Sequence, residues 1–513
     1  MKPKLIRMPA LALLSLIPLL ILGCGGGGGG GGGGGPQVND VPPNLNGLTV
    51  PTGFNSAGFP VTGSQLTLPG FTAAKKTVLG FVNTGVAPTT GGVSATIGVP
   101  ASVRGKKVMS AKNSFSHPAH GATFNQWLRQ STRGKPIVRT DGPLGKRIPA
   151  LRADALNFQT TFKMTSGPGS PILIPATCRK VTTLSNGGST YFYLDDSDIF
   201  DATATPLIDT LAGYWTNTIY AKNREIFGEE PPATFNGITP GNDITILLSS
   251  RVKNLGIDLA GFFYPGDLYP KAQFSDSNER KMFYINYDPK GLTTITIAST
   301  IAHEFQHMIN FYQRKVKGLD EETWLNEAMS GYAEHVCGFK LSTNNRSKAL
   351  QVNMYFDKVN STGLTDWKEE NENYGLVYLF GTWLGQNFGN QGVVRPLLTS
   401  SSTGRLAVQE FAAMEFAKVM AQWALAIYVN DTTGKTVYGY SDMDLKQTYG
   451  YGPDLADVPL TGPKVTPNQG FPFSSGSVLV SPGAVYFVEL SGGNGSVLNM
   501  SFSGGTSIFE IHQ

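Results

Sequence analysis

The chain has 513 residues, of which 15% are charged and 40% hydrophobic, with a formal net charge of +4. That length implies several folded units rather than one. Lys2, Lys4 and Arg7 sit in an N-terminal segment expected to be removed, after which 41 basic against 37 acidic residues become 38 against 37, so charge gives no case for a nucleic-acid partner.

Those three basic residues precede an apolar run from Leu11 to Leu22 that ends at Gly23-Cys24. A charged start, an apolar middle and a small residue before a cleavage point describe a signal peptide. The run is short for the roughly 20 residues that span a bilayer. Ile21-Leu22-Gly23-Cys24 resembles a bacterial lipobox, which implies cleavage before Cys24 and lipid attachment to it. The expectation is a lipoprotein signal peptide (1–23), then the lipidated Cys24, the flexible tether Gly25–Gly35 and a Pro-, Gly- and Asn-rich linker to residue 65. The protein is thus expected to be exported and anchored in a membrane of the cell envelope. With Cys24 modified, Cys178 and Cys337 remain, a single possible disulfide in an oxidising compartment.

Residues 66–190 carry short β-type runs, Thr77–Val82, Val93–Val99 and Pro171–Pro175, broken by Gly and Pro. They predict a β-rich accessory region, part of which could be a pro-segment. His117 and His120 flank Pro118 in a loop-like context with no further ligands nearby, and read as surface histidines. A central domain is expected over 191–455. In it, Leu207–Phe227 reads as a helix, Asp243–Leu248 as a buried strand, and Ala260–Tyr264 and Met282–Tyr287 as strands paired around a loop.

The most informative stretch is His303-Glu304-Phe305-Gln306-His307. Histidines at i and i+4 share a helix face, so both imidazoles can reach one Zn²⁺. Glu304 lies about 100° further round, where a carboxylate serves water without being a ligand. Paired histidines on a helix are often a surface pair, but the chain has only six histidines, and two fall here in the spacing zinc needs. Ile297, Ile301, Phe305, Met308 and Tyr312 form an apolar stripe. Lys315 and Lys317 suit the helix end and Gly318 its stop.

A second helix is expected from an Asp320 N-cap to Gly338, carrying Glu327 as third ligand. Two histidines and one carboxylate leave a position open for water, as catalytic zinc requires. Glu334, seven residues on, shares nearly the same face and can hold an imidazole N–H from behind; His335 should face away. Tyr374, at the start of an apolar helix running to Phe388, is the candidate donor to the negative charge that builds on a carbonyl oxygen. Another helix is expected over Val408–Val429. Beyond residue 456, the runs Ser477–Val480, Ala484–Leu490, Val497–Phe502 and Ile508–Ile511 suit a small β-sandwich.

His-Glu-x-x-His followed at this distance by Asn-Glu-x-x-Ser resembles the gluzincin clan of metallopeptidases. The wider stretch is similar to the hyicolysin family of secreted bacterial zinc metallopeptidases, through Ala260-Gly261-Phe262-Phe263, Ser277-Asn278-Glu279-Arg280 to Tyr284, Ala302–His307 and Trp324-Leu325-Asn326-Glu327. It covers about residues 190–430. The resemblance implies a multidomain protein: an α+β gluzincin-like zinc peptidase domain, flanked by β-rich N-terminal and C-terminal domains, whose sheet edge aligns a peptide above the metal. In one respect the chain departs. Thermolysin-like enzymes have an acid four residues after the third ligand, where this chain has Gly331.

The expected function is hydrolysis of a protein or peptide substrate, with Zn²⁺ on His303, His307 and Glu327, Glu304 as general base and Tyr374 as oxyanion donor. The alternative is a surface-binding lipoprotein with an inactive zincin-like fold. The intact Glu304 argues against it, since a binding module has no chemical need of that residue.

Overall fold

The structure, a computed structural model, describes residues 59–60, 65–68, 71–73, 76–97, 122–137, 154–256, 259–434, 436–503 and 507–512. The expected signal peptide, Cys24, the polyglycine tether, His117 and His120 lie outside the described residues. The described part is mixed α and β.

A six-stranded sheet runs in the order Gln159–Met164, Ile172–Thr183, Ser189–Asp195, Ile244–Ser249, Met282–Asn286, Gly261–Phe262. Ser189–Asp195, Ile244–Ser249 and Met282–Asn286 are parallel neighbours. The edge strand Gly261–Phe262 is antiparallel to Met282–Asn286, with Phe262 opposite Tyr284, as the sequence predicts for this pair. Successive side chains of a strand point to opposite faces. Phe192, Leu194, Ile246, Phe283 and Ile285 therefore enter the main core with the helices, while Tyr191, Tyr193, Leu247, Met282 and Tyr284 build a second core behind the sheet. Burial on both faces is why Ile244–Ser249 reads as a continuous apolar run.

A sandwich of two five-stranded sheets joins the two ends of the described chain. Thr77–Val82 lies between Val485–Leu490 and Ser507–His512, and Thr89–Ile97 pairs with Leu498–Ser503. The β-runs expected in 66–190 and 456–513 are therefore sorted differently from their order along the chain. Those before residue 98 share a sandwich with the C-terminal strands, and those of 159–195 belong to the six-stranded sheet. The physical reason lies in the alternation of the strands. Leu79, Phe81, Tyr486 and Val488 fill the space between the two sheets, while Val78, Val82, Val485 and Phe487 pack on the helical core. Each strand has two apolar faces to cover, and partners from the other end of the chain cover one of them.

The α-helices are α1 (Ala122–Gln130), α2 (Ala204–Tyr214), α3 (Tyr220–Phe227), α4 (Thr294–Lys315), α5 (Thr323–Val336), α6 (Arg346–Asp357), α7 (Asn371–Phe388), α8 (Arg395–Leu398), α9 (Gly404–Ala412) and α10 (Phe416–Val429). A π-helical turn, Trp215–Ile219, joins α2 to α3. The helix expected over Val408–Val429 is divided in two, because Ala413 takes a left-handed conformation (φ 52°) that ends α9. Cys178 and Cys337 are free and buried. They belong to the cores on opposite faces of the six-stranded sheet, so the possible disulfide does not form. Among the described residues, no helix is long and apolar enough to cross a membrane.

Candidate metal centre

Helix α4 starts where the Thr293 hydroxyl accepts the backbone N–H of Thr296, one of the donors a helix start leaves unpaired. It ends on Arg314 and Lys315, and Gly318 (φ 72°) turns the chain away. Asp320, expected to cap α5, does not; the cap position is Glu322. Asp320 is held by the Lys315 ammonium at 2.5 Å instead, so that residue ties the end of α4 to the loop before α5. Ile301, Phe305 and Met308 are fully buried in the main core, which fixes the rotation of α4 and turns His303 and His307 toward α5.

Between the two helices the side chains converge. His303 Nε2 lies 3.2 Å from Glu327 Oε2, and His307 Nε2 lies 3.4 Å from Glu327 Oε1. Ligand atoms of His303, Glu304 and His307 also fall within 4.8 Å of one another. Behind the rings, His303 Nδ1 is 2.9 Å from Glu334 Oε1. His307 Nδ1 is 3.1 Å from Asn326 Oδ1 and 3.0 Å from Ser330 Oγ. Ser330 donates its own hydrogen to Gln306 Oε1 at 2.6 Å, which leaves it an acceptor toward His307. Each ring thus meets acceptors at Nδ1, so the proton sits there and Nε2 presents a lone pair.

Those lone pairs point at a carboxylate, and Glu327 Oε2 is buried with no hydrogen-bond partner. Three acceptors facing one another in a largely buried site repel unless a cation lies between them. A tetrahedral centre with bonds of about 2.1 Å sets its ligand atoms roughly 3.4 Å apart, which matches the two separations above. The residues therefore fit a metal ion. In the metal-free chain a proton takes the cation's place. Burial disfavours charge on His303, but the Glu327 and Glu334 carboxylates outweigh it and push the imidazole up to about 10. His307 has neutral partners at Nδ1, and burial lowers it to about 4. Burial also opposes ionisation of Glu327, yet Arg129, His307 and His303 hold it well below the usual carboxylate range.

Glu304 is buried at the same place. Burial raises its carboxyl to about 7, and it accepts a hydrogen bond from the backbone of Phe263, just past the edge strand. Glu334 is backed by Lys348 Nζ at 3.0 Å and by Asn345 Nδ2 at 3.2 Å. The departure at Gly331 has a cause in the packing. A Cβ there would stand 3.2 Å from the Tyr378 Cα of α7, and one on Gly381 would stand 2.1 Å from the Ala328 carbonyl oxygen. The α5 and α7 backbones cross closely, so a side chain at 331 would have to push against the α7 backbone. Glu334, two turns beyond Glu327 on the same face, reaches His303 instead.

Tyr374, on the first turns of α7, is half-buried beside Glu327 and Arg129; desolvation and Glu327 raise its hydroxyl above the ordinary value. His335 faces away, between the Tyr378 hydroxyl at 2.9 Å and Asp442 at 3.0 Å. Asn326 and Ser330 stand in the Asn-Glu-x-x-Ser motif, but their place behind His307 was not read from the sequence. The sequence reading also missed Lys348 and Arg129, which arrive from other elements with no local signal. Arg129 Nη2 donates to Glu327 Oε1 at 2.7 Å, and Nη1 pairs with Glu369.

The elements that build this centre match known proteins. Over 222 residues, 40% of this chain and 47% of the relative, the sequence is 27% identical to the neutral metalloprotease ShpI of Staphylococcus hyicus. The matched stretch spans about half the length of that relative. The family described as peptidase M30 matches residues 173–472, more than half of the chain and all of α4, α5 and α7. This chain belongs to the peptidase M30 family.

Proposed function

We propose that this chain is an exported, lipid-anchored zinc endopeptidase of gluzincin type. The observation that supports this most is the convergence of the His303 and His307 Nε2 atoms on the Glu327 carboxylate, with a buried carboxyl, Glu304, alongside. His303, His307 and Glu327 would hold Zn²⁺. When bound, zinc supplies Lewis acidity, acidifying water and polarising a carbonyl. Glu334 holds His303 in the tautomer that leaves Nε2 free, and Asn326 with Ser330 does the same for His307.

Glu304 accepts the proton of the attacking water and returns it to the leaving amine. A carboxyl raised to about 7 suits both halves of that task near neutral pH. Tyr374, kept protonated by its raised hydroxyl, donates to the oxygen on which negative charge develops. The edge strand Gly261–Phe262, next to the Phe263 amide that anchors Glu304, offers a backbone edge for an extended peptide. Export and attachment through lipidated Cys24 rest on the N-terminal pattern of the sequence. The sequence divisions, with a tether to residue 65 and a peptidase region over 191–455, carry over as part of this proposal, as does the membrane as a partner.

The test is zinc content measured together with hydrolysis of unfolded casein. The wild type should carry one zinc per chain and cut casein. Glu304→Gln should keep the metal and lose roughly 10²–10⁴ in rate. Zinc bound without any casein cleavage by the wild type would favour the inactive binding lipoprotein.

A further inference from the structure

Helix α1 lies outside the family-matched residues 173–472, yet it reaches the centre. Phe124 packs edge-on against Phe262 of the edge strand (ring centroids 5.2 Å apart), and Trp127 stacks on Tyr264 at 5.9 Å. Those two contacts seat α1 along the sheet edge and deliver Arg129 to a pocket built by residues 367–374. There the guanidinium pairs with Glu369, lies 5.5 Å from the centroid of the Trp367 ring and has the Tyr374 hydroxyl beside it. Tyr374 meets Trp367 edge-on at 5.1 Å. A carboxylate, an aromatic face and a hydroxyl oxygen are the groups that recognise a planar cation. Glu369 holds a left-handed backbone conformation (φ 63°), which is costly for a residue with a side chain and recurs where a site needs one particular orientation.

Arg129 also occupies Glu327 Oε1 at 2.7 Å, placing a positive charge against a carboxylate that the metal must use. No other group of the proposed mechanism comes from α1. We propose that Glu369, Trp367 and Tyr374 form an arginine-binding subsite beside the metal centre, that α1 fills it with Arg129 as an internal ligand, and that substrates enter by presenting an arginine side chain in its place. The inference deepens the peptidase reading and rests on it. It makes α1 a self-inhibiting segment and Glu369 the residue that selects a basic side chain next to the scissile bond.

The test uses two peptides that differ only in arginine against citrulline, which keeps the shape and loses the charge. Their binding is measured by calorimetry on the full chain carrying Glu304→Gln, so that neither is cut. With Arg129→Ala added, the arginine peptide should bind roughly tenfold or more tighter than the citrulline peptide, the scale of one charge-assisted contact. Glu369→Gln should erase that difference. With Arg129 intact, both peptides should bind more weakly, because α1 competes. Equal binding of the two peptides to the Arg129→Ala chain, or a preference that survives Glu369→Gln, overturns the subsite. Loss of zinc from Arg129→Ala would make Arg129 a structural member of the centre and overturns its role as an internal ligand. Should Arg129→Ala fail to fold, Trp127→Ser loosens α1 without touching the pocket and must raise arginine-peptide binding. Arginine-selective binding without hydrolysis when Glu304 is intact leaves the subsite standing and removes the peptidase reading.

Discussion

The two sides of the metal centre are built differently. Behind the imidazoles, His303 meets a charged set, Glu334 with Lys348 and Asn345, whereas His307 meets the neutral Asn326 and Ser330. In front, Glu327 meets Arg129, brought in from a helix 198 positions away. One ring is fixed by a buried ion pair and the other by dipoles. Buried charge is costly to strand, while a dipole is easier to replace. The same centre should therefore respond very unevenly to loss of one backing group or the other.

The largest effect is expected from Glu334→Ala. It leaves the Lys348 ammonium and His303 Nδ1 buried without their acceptor, which should cost about 3–5 kcal/mol in denaturant unfolding and weaken zinc binding by roughly 10–100-fold. Next comes Gly331→Asp, which puts back the acid at the thermolysin-like position. With the α7 backbone 3.2 Å from the new Cβ, it should destabilise the chain by about 1–3 kcal/mol without strengthening zinc binding. Asn326→Ala should cost only about 1 kcal/mol, since Ser330 still accepts from His307 Nδ1. Equal zinc losses for Glu334→Ala and Asn326→Ala would erase the asymmetry between the rings.

The pH response of the metal-free chain sharpens the same contrast. His303 is raised to about 10 from an ordinary 6.5, so its contribution is complete below pH 6.5 and is lost as pH rises toward 10. His307 is lowered to about 4. The folded chain there refuses a proton that the unfolded chain accepts, so stability falls as pH drops from 6.5 toward 4. Glu304, raised to about 7, opposes that acid-side loss, because the folded chain takes its proton before the unfolded chain does. The resolved change is therefore the alkaline one: without metal, the thermal unfolding temperature should decline as pH rises from 6.5 toward 10. With zinc bound, the alkaline slope should vanish, because the metal displaces the His303 proton.

Most of the imidazole side was legible in the sequence. Helical spacing alone brought His303, His307, Glu327 and Glu334 onto facing surfaces, because 3.6-residue periodicity is a local property. The edge strand and Thr77–Val82 were legible for the same reason, through alternation and turn residues. Arg129 and Lys348 were not, since nothing near them in sequence records what they touch. Nor was the sharing of one sandwich by strands near residues 77 and 511, because pairing between distant strands is settled by which apolar faces remain uncovered once the helices have packed. Asp320 shows the converse failure. Its local capping signal was real, but a nearby lysine offered a stronger partner.

Diffraction at the zinc absorption edge, from crystals of the full chain grown with zinc, tests the centre most directly. A single anomalous peak should lie among His303 Nε2, His307 Nε2 and Glu327, at about 2.0–2.2 Å from each, and should disappear in Glu327→Ala. A peak bound elsewhere, or one that persists at full height in that variant, would contradict the assignment of these three residues as the metal ligands.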